Sequence, residues 1–244
     1  MKIDVFFSPA EVAEAPMEST VAAVIDVIRA TSTMVEALAN GARGIFPTVS
    51  TEEAIKLASS LGREDTILCG ERKGLKVEGF DLGNSPHEFT SQRVGGKQIV
   101  MSTTNGTRAF LSVAGAHRVL AASFLNLSAV SEALQESEEV AIVCAGKEDR
   151  FALDDALCAG KLIGKVVADR EGDVTLNDAG RVVTELASSH EVSAEFLQST
   201  AAGRALEAIG LAEDLEHCAT LDRYSFVPEM KEKQIGLPVE KKES

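Results

Sequence analysis

Tryptophan is absent from the 244 residues and tyrosine occurs once, so ten phenylalanines supply nearly all the aromatic surface. That is too little for the stacking platforms on which single-stranded nucleic acids are read. Histidine is scarce, and His87, His117, His190 and His217 show no zinc-ligand spacing. The four cysteines, Cys69, Cys144, Cys158 and Cys218, include no C-x-x-C pair and are expected as buried thiols rather than bridges or zinc ligands. No run of about 18 apolar residues occurs, and the first seven residues read as a short strand with no signal-peptide core behind it. A soluble, cytoplasmic protein is expected. G-x-G-x-x-G, Walker A and G-x-S-x-G motifs are also missing.

What is present is ordinary in bulk and acidic in balance. Apolar residues make up 45% and charged ones 25%, as in globular proteins generally. A chain of this length buries roughly 70–75% of its unfolded surface without needing a staple. With 24 Lys and Arg against 38 Asp and Glu, the net charge is −14. Such a field disfavours nucleic acid and anionic membranes, although a local cluster of Arg, amides and metal can still hold a small anion.

Apolar runs alternate with helical patterns through the first 150 residues. Strand-like stretches at 21–27, 44–49, 66–69, 97–101, 117–121 and 140–144 are interleaved with helical ones at 32–39, 51–61, 106–113 and 127–134. Thr51 is the expected N-cap of the second helix. Helices are expected at 154–168, 176–187 and 194–208, followed by a charged, loosely held tail from Lys231. The fold class is α/β: a three-layer α/β/α domain spanning 1–244, with a mostly parallel sheet and a helical C-terminal third.

Ligands in open parallel sheets bind beyond the carboxyl ends of the strands. Four strand ends here carry polar clusters: Asp26 with Arg29, Thr31 and Ser32; Glu71 with Arg72; Thr103 to Arg108; and Gly146 to Asp155. The segment Thr103-Thr104-Asn105-Gly106-Thr107-Arg108 reads either as an ordinary helix cap or as an anion cradle of N–H groups, hydroxyls and a guanidinium. Asp26, behind an apolar run, needs a metal, an Arg partner such as Arg29, or a raised pKa. Asp154 and Asp155 serve as helix-opening acids or as oxygen ligands for Mg²⁺. Residues 70–86, rich in glycine and charge, form either a plain surface loop or a binding loop.

Together these blocks resemble the 2-phosphosulfolactate phosphatase family. The matching pieces run in order from Val24 to Thr33, Leu38 to Ala42, Gly70-Glu71-Arg72, Gly79 to Pro86, Thr103 to Arg108, Cys144-Ala145-Gly146, Phe151 to Gly160, and Asp222 with Val227-Pro228. The chain departs from the family pattern at Arg72-Lys73, where glycine is expected, and at Lys147 to Arg150, which is more charged.

The resemblance implies a Mg²⁺-dependent hydrolase releasing phosphate from 2-phosphosulfolactate, or a related 2-phospho-hydroxy acid, to give 3-sulfolactate on a route to coenzyme M. Under that reading Asp26, Glu71, Asp154 and Asp155 hold Mg²⁺, and Asp26, Asp155 and Arg29 are catalytic. Thr31, Ser32, Thr104, Asn105, Gly106, Thr107 and Arg108 take the phosphoryl oxygens, while Arg72, Asn84 and Ser85 contact the rest of the substrate. The nucleophile is either activated water or a carboxylate. The alternatives are a lyase or mutase on phosphorylated hydroxy acids and a non-catalytic sensor of an anionic metabolite. A small anionic phosphoester is the expected partner; a homodimer is the commonest closed assembly.

Overall fold

A computed structural model describes residues 1–12 and 17–238 of the chain. Its first half alternates strand and helix: β1 (Lys2–Phe6), β2 (Val21–Ile25), α1 (Ala30–Ala39), β3 (Gly44–Pro47), α2 (Thr51–Leu61), β4 (Thr66–Arg72) and β5 (Leu75–Lys76). Then follow α3 (Ser91–Val94), β6 (Gln98–Ser102), α4 (Gly106–Ser112), β7 (Arg118–Ala122), α5 (Leu127–Leu134) and β8 (Glu139–Cys144). The helical third comprises α6 (Leu153–Asp169), α7 (Asp178–Ser189), α8 (Ala194–Ser199), α9 (Ala201–Ala208) and α10 (Glu213–Cys218), with β9 (Thr175–Leu176) inserted after α6. Strands β10 (Glu229–Lys231) and β11 (Gln234–Gly236) close the described chain.

The strands form one mostly parallel sheet in the order β5-β4-β6-β3-β11-β10-β7-β2-β8-β1-β9. Period-two alternation in β2 explains the three layers. Val21, Ala23 and Ile25 pack into the core with α5 and α6, whereas Ala22 and Val24 pack into the opposite one with α1 and α4. A smaller cluster of Ala54, Ala58, Leu68, Phe80 and Val100 seats α2. All four cysteines are buried and free, and burial raises their thiol pKa values, which disfavours the reactive thiolate. Among the described residues no helix is long and apolar enough to cross a membrane.

Three local expectations are corrected. Ser50, not Thr51, caps α2, its hydroxyl accepting the Glu53 N–H at 3.1 Å. The helix expected over 194–208 breaks at Thr200, whose hydroxyl accepts the Gly203 N–H at 3.0 Å and starts α9 afresh. The tail from Lys231 is held rather than loose, as far as it is described; residues 239–244 lie outside the described residues. Strands β10 and β11 pair with each other and fill the gap between β7 and β3, with Met230 and Ile235 buried in the core. Their turn places Glu232 and Lys233 at φ 49° and 67°, which suits the right-handed twist of the strands but lacks the glycine or asparagine that usually announces it.

Candidate active site

Strands β2 and β8 run parallel to each other, as do β4 and β6, and the loops leaving the carboxyl ends of both pairs meet at one place. There they line a cavity of about 480 Å³, within the range of small-molecule sites. Asp26 and Arg29 come from the turn after β2, Glu71, Arg72 and Lys73 from the β4–β5 hairpin, Thr103, Thr104 and Asn105 from the loop after β6, and Gly146, Lys147, Asp154 and Asp155 from the β8–α6 connection. Asn84 and Glu148 also line the cavity, and one wall is apolar: Ala202, Ala205 and Leu206 of α9, with Ile209 just beyond. Lys147 Nζ donates to the Ala201 carbonyl at 3.1 Å, tying the start of α9 to the cavity. Within the 70–86 stretch, residues 71–76 form a short hairpin, and Glu71, Arg72, Lys73, Gly74 and Asn84 line the cavity.

The four acids divide into two kinds. Asp155 is fully engaged with backbone: Oδ1 accepts the Val27 N–H at 2.9 Å and Oδ2 the Gly146 N–H at 3.0 Å, joining the ends of β2 and β8 to the first turn of α6. Gly146 permits this at φ +65°, and a Cβ there would lie 2.4 Å from the Arg150 carbonyl oxygen. Glu71 is similarly occupied, Oε1 by the Thr104 N–H at 2.8 Å and Oε2 by the Gly74 N–H at 2.7 Å.

Asp26 and Asp154 are less satisfied. Asp26 Oδ1 accepts the Ala30 N–H at 3.2 Å, while Oδ2 sits against Gly106, where a Cβ would come within 2.6 Å. Asp154 Oδ1 is buried with no hydrogen-bond partner. Burial pushes the Asp26 carboxyl up to about 7, helped by repulsion from Asp154 and Glu71 and opposed by the Ala30 N–H and Arg29. Burial likewise lifts Asp154 to about 6, against the pull of Lys147. Asp155 is also raised, by burial and then by Asp154 and Asp26.

This donor set bears on the metal expected from the sequence. Among the described residues no three His, Cys, Asp or Glu side chains converge on one point, so the four-carboxylate ligand set is not assembled. Two buried, mutually repelling carboxylates, one with an unpartnered oxygen, do fit an ion that takes one or two carboxylates and fills its remaining positions with water and phosphate.

The expected anion-binding groups are only partly brought together. Arg29 is buried in the wall, but its partner is Asp214 of α10, at 2.8 Å, and not Asp26; Nη2 donates to the Gly74 carbonyl at 2.7 Å. The peptide joining Ile28 to Arg29 is cis. Arg72 lines the cavity and donates to the Glu71 and Ser102 carbonyls and to Ser102 Oγ. Thr104, Asn105 and Asn84 line it as well, and Asn84 Oδ1 is buried without a partner.

Thr31, Ser32 and Thr107 do not line the cavity. Their hydroxyls donate back to the Asp26, Val27 and Thr103 carbonyls. Gly106 provides space for Asp26, and Arg108 pairs with Asp149 at 3.1 Å on the surface. Ser85 Oγ donates to Asp214 at 2.6 Å. Sequence reasoning missed Asp214 and the α9 wall. The wall did leave a signal, since residues 202, 205, 206 and 209 form an i, i+3, i+4, i+7 apolar stripe, indistinguishable from a core face.

The raised carboxyls have a consequence for stability in chelator. A native carboxyl above its ordinary 3.8 means that the folded state binds protons more readily than the unfolded chain. The stability these two groups contribute is fully present below about 3.8 and is lost as pH climbs through about 6 and about 7. The unfolding midpoint in chelator should be higher at pH 5.5 than at pH 8, by about 5 °C. A midpoint that instead falls on acidification over this window would show that these acids ionise without penalty.

A family model described as 2-phosphosulpholactate phosphatase matches residues 6–233. A protein of Clostridium perfringens (strain 13 / Type A), named probable 2-phosphosulfolactate phosphatase, is 40% identical over 239 residues, covering 96% of each chain. Proteins with the same name from Thermotoga petrophila and Symbiobacterium thermophilum are 40% and 42% identical over 226 and 219 residues. The alignments cover 93% and 89% of this chain and 94% of each relative.

Proposed function

The chain belongs to the 2-phosphosulfolactate phosphatase family, and from that premise we propose that its cavity hydrolyses 2-phosphosulfolactate, or a close 2-phospho-hydroxy acid, to the free hydroxy acid and phosphate with the help of Mg²⁺. The observation that carries this reading is the Asp26–Asp154 pair, two buried carboxylates, one with an unpartnered oxygen, in a cavity that Arg29, Arg72, Lys73 and Lys147 also line. Without a cation between them and an incoming phosphate, the acids would repel the substrate.

Asp26 and Asp154 are the residues that would hold the metal. Bound there, Mg²⁺ would supply Lewis-acid neutralisation of a phosphoryl oxygen. The protein's own contributions are positional. Arg72, Lys73 and Lys147 offset the net negative field at the rim, and Arg29 sets a fixed positive charge in the wall. The Thr103 to Asn105 loop is anchored by the Thr104 N–H to Glu71 and offers hydroxyl and amide groups to the ester. Asn84 Oδ1 is free to accept from a water, or from the hydroxyl that hydrolysis leaves on the product. The apolar stripe of α9 limits water around the ester and so strengthens each of these interactions.

Phosphate release from 2-phosphosulfolactate and phospholactate, measured with Mg²⁺ and with chelator, tests the proposal. Turnover should vanish in chelator and return with Mg²⁺, and the same Mg²⁺ should flatten the pH dependence of the unfolding midpoint. Folded protein that releases phosphate from no ester overturns the reading.

A further inference from the structure

Arg29 is a buried guanidinium in the cavity wall, and such a group is tolerable only beside a fixed anion. That anion comes from the far end of the chain. Asp214, wholly buried in α10, takes Arg29 Nη1 on Oδ2 at 2.8 Å and the Ser85 hydroxyl on Oδ1 at 2.6 Å, with His87 Nε2 3.9 Å away. From Arg29 the bonds continue through Nη2 to the Gly74 carbonyl at 2.7 Å. The Gly74 N–H reaches Glu71 Oε2 at 2.7 Å, and the Thr104 N–H reaches Glu71 Oε1 at 2.8 Å. On its other side, Asp214 fixes Ser85, the neighbour of Asn84, whose carbonyl accepts the Thr33 hydroxyl at 2.9 Å.

We propose that Asp214 is a positioning residue for this site: through Arg29 it aims the buried charge at the phosphoester, and through Ser85 it sets the reach of Asn84. The inference rests on the phosphatase reading above. Asp214 does not line the cavity, so its influence passes through residues that do. It also ties α10 of the helical third to the strand-end loops, since Asp214 is the counterion of Arg29.

Asp214→Asn, Asp214→Glu and Ser85→Ala separate this role from a structural one. For the ester that wild type turns over, kcat, KM and inhibition by inorganic phosphate are measured well below each unfolding midpoint. Asp214→Asn should lower kcat/KM about a hundredfold and Asp214→Glu about tenfold, because displacing a positioned group by an ångström has effects of that order. KM and the inhibition constant for phosphate should rise together in both. Asp214→Glu keeps the charge and decides the matter if the Asn variant fails to fold. Ser85→Ala leaves the ion pair intact and should fall short of the Glu variant's loss. A structural pair would lower the midpoint while leaving kcat, KM and phosphate inhibition at wild-type values, and that result overturns the proposal. Wild type inactive on every ester removes the phosphatase reading and this inference with it, whereas active wild type with indifferent variants removes this inference alone.

Discussion

Asp26→Asn should abolish useful turnover, lowering kcat/KM for phosphate release about a thousandfold, while making the protein in chelator harder to unfold at pH 8. Both signs follow from the same local geometry. The Asn side-chain oxygen can still accept the Ala30 N–H, so the turn into α1 survives the change. What disappears is a negative charge that burial, Asp154 and Glu71 all disfavour. Removing it relieves the folded state and deprives the cavity of half its carboxylate pair. A site that holds unfavourable charge for the sake of a ligand gains stability when disarmed. Phosphate-release kinetics and thermal unfolding of the variant check the two signs separately. Wild-type kcat with intact Mg²⁺ dependence would remove Asp26 from the reaction.

That Asp26, Glu71, the Thr103 to Asn105 loop and Asp154 share one cavity was legible in the sequence, because the apolar runs located the strand ends and ligands in α/β sheets bind beyond the carboxyl ends; that two parallel groups of strands are joined by the antiparallel β10–β11 hairpin was not. Helix α5 was legible for the same reason, its bounds falling where the apolar stripe begins and ends. Partner choice was not legible. Arg29 sits three residues from Asp26 yet pairs across 185 residues with Asp214, a selection made by tertiary packing alone. The hydroxyls of Thr31, Ser32 and Thr107 reach backbone carbonyls four or five residues earlier, the local bond that competes with any ligand for such groups. Strands β10 and β11 escaped notice because three-residue strands joined by Glu-Lys carry neither length nor turn chemistry.

The adjacent acids Asp154 and Asp155 should fail in opposite ways when replaced. Asp155→Ala strips acceptors from the buried Val27 and Gly146 amides. An unsatisfied buried donor costs about 1–3 kcal/mol, so the pair approaches half the stability of a typical domain. Losing the charge of Asp155 eases its repulsion with Asp154 and Asp26, but those two amides are what make its burial tolerable, and their loss is the larger effect. In chelator at pH 8, Asp155→Ala should unfold about 10 °C below wild type. Asp155→Asn retains one acceptor and should fall between them. Asp154→Asn breaks no bond at Oδ1, which has none, and removes a charge that burial opposes. It should unfold at or above the wild-type midpoint and yet release no phosphate. An Asp155→Ala protein as stable as wild type would mean that the β2, β8 and α6 junction is held by packing alone, while an active Asp154→Asn protein would leave the unpartnered oxygen without a task. The contrast follows from one step of sequence: the first helical turn of α6 directs Asp155 to the strand-end amides and leaves Asp154 to the cavity.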